Sequence, residues 1–439
     1  MDEAWKKAVL SKVSRRLIPF LFLLYVVNIL DRVNVGFASL QMQGDLGMDE
    51  RVYALGAGIF YLGYVLFEVP SNLILRQVGA RRWIARIMIT WGLITSATMA
   101  VRGAGTFYLL RILLGIAEAG FFPGIILYLT YWFPARERAR VVAFFMAASP
   151  ITGIVGNPLS GAIMKWLDHI GGLHGWQWVF LLEGTPAVLL GFSVFYYLTD
   201  RPEQAGWLTP EERNWLAAEI GQEETQRGQR HSLNLRQALM DGRVWLLIVL
   251  YFTVAVGANA FGFYLPKFIE DRFPGRDTFQ IGQLAAIPNL FAVVCMVLNG
   301  RHSDRTGERR WHVAVPAFVA AGGLTLFACV DSPVLSLVGL ALAQSGIMSM
   351  LPTFWALPTA FLSGIAAAGG LALINSVGNI GGFVGPNLIG QPHDYTGSFT
   401  PGLLATASTL CVGGILALCV RPDSAAVNTQ LMPSELKKG

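Results

Sequence analysis

Twelve stretches of this chain are apolar for about 20 residues, the length a helix needs to cross the hydrocarbon core of a bilayer. Their approximate limits are 17–40, 52–75, 83–101, 106–133, 139–166 and 177–199, then 244–268, 279–300, 312–330, 333–362, 364–390 and 401–420. Inside lipid a segment must satisfy its own backbone polar groups, so each run reads as a helix. The chain is therefore expected to be an all-α integral membrane protein with twelve transmembrane helices. Composition agrees: only 14% of the 439 residues are charged and mean hydropathy is +0.50. Soluble domains average about 25% charged residues.

The net charge of +5 raises nucleic acid as a partner, but no basic patch interleaved with aromatics exists to hold it. The expected surroundings are the lipid bilayer, with no nucleic acid. Basic residues sit in short loops instead. The leading tail, the 2–3 loop (Arg76, Arg81, Arg82), the 4–5 loop (Arg136, Arg138, Arg140) and the 8–9 loop (Arg301, Arg305, Arg309, Arg310) are basic. The 1–2 loop (Asp45, Asp49, Glu50, Arg51) and the 9–10 loop (Asp331) are not. By the positive-inside rule both termini are cytoplasmic, which requires an even number of spans. The basic start (Lys6 to Arg16) resembles a signal peptide, but the following run is too long and lacks a cleavage site, so a retained first span is expected. The four cysteines lie in apolar runs and imply no disulfide framework.

One long polar stretch, 200–243, separates spans 6 and 7. Thr209-Pro210-Glu211-Glu212 reads as a helix start with a capping box, and Trp207, Trp215, Leu216 and Leu239 suggest short helices against the membrane face. Its length suits a tether between two six-span halves, 1–199 and 244–439, with a regulatory domain as the alternative. A repeat supports the division. Gly300-Arg-His-Ser-Asp304-Arg305-Thr-Gly307-Glu-Arg309-Arg310 has a worn copy around Arg76, Gly79, Arg81 and Arg82, at an offset of 307 − 79 = 228. Gly153, Gly156, Pro158 and Gly161 of span 5 match Gly381, Gly385, Pro386 and Gly390 of span 11, where 381 − 153 = 228 as well. Asp304, Arg305 and Gly307 are candidates for a conformational latch, or else for a purely topogenic basic loop. Spans 5 and 11 read either as flexible helices or as close-packed ones.

Charge at bilayer depth costs roughly 2.5–3.5 kcal/mol per group even on the lenient insertion scale. Span 1 nevertheless carries Asp31 and Arg32, and span 4 carries Arg111 and Glu118. Adjacent residues point about 100° apart on a helix, so Asp31 and Arg32 are not simply each other's partner; Arg111 and Glu118 share a face. Glu68 and Glu183 lie in further apolar runs and read more readily as structural. The second half holds no comparably deep charge, with Lys267 at a span end. It offers Asn259, Tyr264, Asn289, Gln344, Trp355, Asn375 and Asn379 to a cavity, and Tyr64 does likewise from span 2. Such a set facing a charged half suits a polyhydroxylated or aromatic organic anion. Enzyme readings lack support: the chain has no phosphate-binding loop, no H-E-x-x-H and no complete dinucleotide fingerprint. All six histidines fall in loops or at span ends, so no buried metal cluster and no cofactor is expected.

D-R-x-N-x-G-F-A at Asp31 to Ala38, F-E-V-P-S-N at Phe67 to Asn72, R-x-L-L-G-x-x-E-A-G-F-F-P-G at Arg111 to Gly124 and W-Q-W-x-F-x-x-E-G at Trp176 to Gly184 resemble the anion:cation symporter family of the major facilitator superfamily. Among members the wording is similar to bacterial tartrate-type carboxylate permeases, whose branch also takes phthalate, hydroxyphenylacetate and sugar acids. The resemblance implies two six-helix halves with substrate bound between them at the midplane. It implies proton coupling through Asp31 and Glu118, with Arg32 and Arg111 recognising a carboxylate or tuning those acids. Tyr64, Trp355 and Asn375 fall where sugar-acid relatives line their substrate site. The expected protein is thus a proton-coupled importer of an organic carboxylate, multi-pass in a bacterial inner membrane, with an architecture that permits a monomer. The rivals are an anion exchanger without net proton flow and a transporter-like membrane sensor.

Overall fold

The computed structural model describes residues 2–134, 137, 141, 148–229, 242–361 and 364–420. No strand occurs among them. The helices are α1 (Glu3–Leu46), α2 (Glu50–Val78), α3 (Ala80–Ala97), α4 (Ala104–Glu118), α5 (Phe121–Thr130), α6 (Ala148–Trp166) and α7 (Gly175–Tyr197). After α8 (Pro210–Gln229) come α9 (Gly242–Arg272), α10 (Thr278–Thr306), α11 (Trp311–Cys329), α12 (Pro333–Phe361), α13 (Gly364–Gly378), α14 (Gly381–Thr396) and α15 (Thr400–Cys419). Among the described residues nine helical segments are long and apolar enough to cross a membrane, the α4–α5 pair counting as one. The expected third, fifth and eleventh spans fall on α3, on α6 and on the α13–α14 pair. Arg136, Arg138, Arg140, Leu239 and Ser363 lie outside the described residues.

Two single apolar runs each contain a break. Gly120, at φ +85°, separates α4 from α5, a backbone conformation that costs an L-residue and not glycine. Asn379 and Ile380 separate α13 from α14.

The earlier and later helices meet along two seams built on glycine. α6 packs on α10, and α14 packs on α2. A Cβ at Gly153 would stand 2.5 Å from the Asn289 carboxamide, one at Gly282 2.5 Å from the Asn157 carbonyl oxygen, and one at Gly382 2.5 Å from the Tyr61 ring. Absent side chains let these backbones approach, as small residues do in membrane helix packing generally. α6 falls on the expected fifth span and α14 on part of the expected eleventh, while their partners fall on the expected eighth and second. Each glycine-rich helix thus rests on a helix from the other side of the central segment.

One end of the bundle, the basic face, holds the start of α1 and the α2–α3 and α10–α11 turns. The repeat's two turn glycines are both left-handed, Gly79 at φ +97° and Gly307 at φ +69°. In the later turn Asp304 pairs with Arg309 at 2.7 Å, Ser303 Oγ donates to the Glu308 carbonyl and the Glu308 carboxylate accepts from the Arg310 and Trp311 amides. Among the described residues Asp304 thus bonds its own loop rather than the first half. Where the earlier copy lacks its aspartate, Asp200 from beyond α7 accepts from the Arg81 amide at 2.8 Å.

The opposite face is tied across the halves. The Asp394 carboxylate accepts from the Glu50 and Arg51 amides, Lys267 reaches Gln43 and Glu50 and Lys165 pairs with Asp277 at 2.8 Å. The Lys165 ammonium and the Gln280 amide hold the Asp277 carboxyl below the usual carboxylate range.

The central segment is docked on the basic face. The Glu212 amide donates to Thr209 Oγ1 at 3.2 Å and the Thr209 amide to the Glu212 carboxylate at 2.8 Å, closing a capping box. Lys12 of α1 reaches the same carboxylate at 2.7 Å, Trp215 meets Trp5 edge-on at 5.5 Å and Trp207 stacks on Trp132 at 5.4 Å. Partial burial pushes the Glu212 carboxyl up, but Lys12 and the Thr209 donors outweigh it and leave it lowered. A lowered native pKa adds stability above the ordinary carboxylate range, and that stability is lost as pH falls through the native value. Cleavage within 210–229 by a protease active at both pH values should be slow at pH 6 and rise below about pH 4. Lys12→Ala should cleave faster at pH 6, and a variant as resistant as wild type would show that the pair does not hold α8.

Candidate functional site

A cavity of about 230 Å³ lies between the two sets of helices. Ligand pockets commonly measure ~300–1,000 Å³, so this one suits a small molecule. On the earlier wall stand Arg32, Asn28, Tyr25, Tyr61 and Tyr64. On the later wall stand Asn259, Asn289, Gln344, Trp355, Asn375 and Asn379. Arg32 is the cation among the described lining residues.

Helix periodicity explains the earlier wall. Asn28 and Arg32 are one turn apart on α1, as are Tyr61 and Tyr64 on α2, so each pair shares a face. The Arg32 guanidinium lies 5.4 Å from the Tyr64 ring centroid and 5.5 Å from that of Phe60. Its partner is Glu118, the last residue of α4, and Asn28 Nδ2 donates to the same carboxylate oxygen at 2.8 Å. Glu118 is 1% exposed, whereas the Arg32 side chain is 27% exposed. The pair therefore presents its cationic end to the cavity and keeps its acid behind.

Asp31 points elsewhere. It accepts from the Trp91 indole at 2.6 Å and is buried inside the first half, off the cavity lining. Asn34 contacts its other oxygen at 3.5 Å. Glu183 is buried in the same half and accepts from Ser160 Oγ at 2.6 Å.

Arg111 also lies outside the lining. Its guanidinium donates to the Gly56 and Ala57 carbonyls of α2 at 3.1 and 3.3 Å, between the rings of Phe60 and Phe263. It shares a helix with Glu118, but its Nε and one terminal nitrogen bond backbone carbonyls of α2, so its geometry is that of a clamp between α4 and α2. Tyr264, a candidate cavity group by sequence, packs instead against Tyr53 and Phe268 near the opposite face.

Tyr64, Trp355 and Asn375 line this cavity. Other features were not legible: the Tyr61 hydroxyl donates to Asn259 across the halves, and the Asn289 carboxamide accepts from Gln344 at 2.8 Å. Periodicity relative to Arg32 and Tyr64 was the available signal for Asn28 and Tyr61. Lys267 is 6% exposed near the end of α9, covered by Gln43 and Glu50. The donor atoms of Asp168, His169 and His174 cluster within 4.8 Å on the opposite face. Asp168 is already committed to the Gly175 amide and His174 to Asp45.

The sequence profile of the Major Facilitator Superfamily matches residues 21–386. A protein named "Putative tartrate transporter" from Agrobacterium vitis is 51% identical over 96% of this chain and 93% of its own length. A "Putative metabolite transport protein NicT" from Pseudomonas putida is 46% identical over 94% of each chain. Among solved structures, the inward-open xylose transporter XylE from E. coli aligns with a TM-score of 0.72 at 14% identity, covering 93% of this chain and 96% of that one.

Removing one member of a buried ion pair strands the other, at a cost of about 3–5 kcal/mol. Arg32→Ala should therefore lower the thermal midpoint sharply. Adding Glu118→Gln should restore much of it, because the neutral amide keeps Asn28 company without a stranded charge. Additive losses in the double variant, measured by thermal unfolding in detergent, would show that the two side chains are not energetically coupled.

Proposed function

The chain belongs to the Major Facilitator Superfamily and is a membrane transporter, and on that premise we propose that it is a proton-coupled symporter importing a small organic carboxylate. The observation that carries this reading is Arg32 on the cavity wall, paired with Glu118 buried behind it. A substrate carboxylate approaching Arg32 competes with Glu118 for the same guanidinium. Protonation of Glu118 removes the competitor and leaves Arg32 free to take the anion. Proton and anion then favour each other's binding by the same factor, as linkage requires. Carboxamides and phenols around the rest of the cavity supply donors and acceptors for hydroxyl groups or a second polar end. The tartrate-type relatives support a carboxylate as the cargo.

Protons are the coupling ion in this scheme. Glu118, behind Arg32, is the acid nearer the cavity and Asp31, held by Trp91, the one farther from it. Arg32 is the carboxylate anchor, with Tyr64, Trp355 and Asn375 completing the substrate site; Arg111 acts on them through α2. The basic face is cytoplasmic by the positive-inside rule, so both termini lie inside, in a bacterial inner membrane. The protein works as a monomer, its complete cavity being formed by one chain. The motif at Asp304, Arg305 and Gly307 serves as a latch by fixing the α10–α11 turn while the halves rock.

In proteoliposomes without internal substrate, an imposed inward proton gradient should drive uptake of one acid from a panel of tartrate, galactonate, phthalate and hydroxyphenylacetate. Glu118→Gln should still bind and exchange that acid but fail to accumulate it, and Asp31→Asn should reduce the gradient response. Arg32→Ala should lose about 10–100-fold in affinity, the worth of a charge-assisted bond. Gradient-driven accumulation that survives both acid substitutions would refute the coupling scheme and favour exchange.

A further inference from the structure

α2 turns Tyr61, Tyr64 and Glu68 toward the later helices, at the i, i+3, i+7 spacing of one helix face. The two tyrosines line the cavity, and Glu68 sits one turn beyond Tyr64 toward the basic face, 4% exposed. Its Oε1 accepts from Asn375 Nδ2 at 2.5 Å and its Oε2 from Ser376 Oγ at 2.9 Å. Both donors belong to the last turn of α13, immediately before the break at Asn379 and Ile380. Both hydrogen bonds cross between the earlier and later helices on the basic side of the cavity.

The packing on either side of the break differs. α14 presses on α2 so closely that a Cβ at Gly58 would lie 2.8 Å from the Phe383 carbonyl oxygen. α13 has its close approach elsewhere, with Gly378 against Tyr251 of α9. The α14–α2 junction is thus held by contact, while the α13–α2 junction rests on one carboxylate and its two donors. Asn375 also lines the cavity. Its carboxamide faces both a ligand position and Glu68, and it cannot turn into the cavity while its nitrogen stays on Glu68.

The geometry points to Glu68 as a positioning residue that holds Asn375, and through it α13, closed against α2. A ligand oxygen that draws the Asn375 carboxamide into the cavity takes it from Glu68. The basic side then opens by swinging α13 about residues 379–380. This goes beyond the proton scheme, since it requires only that the transporter bind a ligand at Asn375. Glu68 touches no ligand; it sets when Asn375 is available.

The first test needs no substrate. In the ligand-free protein, Glu68→Gln and Ser376→Ala should speed amide hydrogen exchange across 364–378, about tenfold and fivefold, as expected for losing a charge-assisted and a single bond. Exchange over 381–396 should stay at the wild-type rate. The second test uses the acid of the four-member panel that gives the largest thermal shift. Bound to wild type, it should raise exchange over 364–378 toward the Glu68→Gln level and add nothing further in that variant. Glu68→Gln should also bind this acid about 3–10-fold more tightly while turning over more slowly, lowering KM and kcat together. A residue that merely stabilised the fold would weaken binding instead. Unchanged exchange over 364–378 in both variants, at a wild-type thermal midpoint, overturns the latch, as does weaker binding by Glu68→Gln. If none of the four acids shifts wild type, the organic-anion reading fails, and the ligand-free exchange still decides the latch.

Discussion

The contact between Arg32 and Glu118 organises the first half of this transporter. Neither group survives at bilayer depth alone, since an unpaired charge there costs more than a typical helix contact returns. Pairing fixes α1 against the end of α4, and the Gly120 break that follows lets α5 set off in a new direction. The residual asymmetry, a buried acid behind a part-exposed base, gives the cavity its polarity. Asp31 is turned by the same helix geometry into the interior, where Trp91 supplies the donor that Arg32 does not. Adjacent residues in the chain thereby serve separate environments.

The glycine seams impose a complementary constraint. α6 on α10 and α14 on α2 meet at backbone distance, so these lines cannot separate without exposing backbone. The sequence allowed spans 5 and 11 to be either flexible or closely packed. Their packing is close where they cross the other half. The bend belongs to the α13–α14 break, beyond the last turn that bears Asn375.

Much of the architecture could be read before any coordinates, because bilayer length and loop charge act on composition alone. The 228-residue offset located Gly79 and Gly307, and both are left-handed turn residues. Tyr64, Trp355 and Asn375 line the cavity. Arg111 does not: motif spacing places it on the face of Glu118 without revealing that two α2 carbonyls accept from it. Glu68 read as a structural acid, since its partners lie 307 and 308 residues away and no local pattern marks them. Lys267 stands near the end of α9 as hydropathy suggests, but hydropathy cannot see that Gln43 and Glu50 close over it. Pairings local to one helix are legible, and pairings across the halves are not.

In the proposed transport cycle, where one half rocks against the other, the distribution of cross-half bonds follows from what that motion must break. Ion pairs that join the halves lie toward the opposite face, Lys165 with Asp277 and Lys267 with Glu50, where opening admits water to each partner. At cavity depth the charged pair Arg32–Glu118 stays within one half, so rocking never pulls it apart. Neutral bonds cross there, from Tyr61 to Asn259 and from Asn157 to the Ala285 carbonyl. Breaking a neutral bond costs about 0.5–1.5 kcal/mol net, whereas splitting a buried ion pair costs about 3–5. A second half without deep charge is therefore what lets a heavily charged first half move against it, and it explains why the carboxamides gather on the later wall.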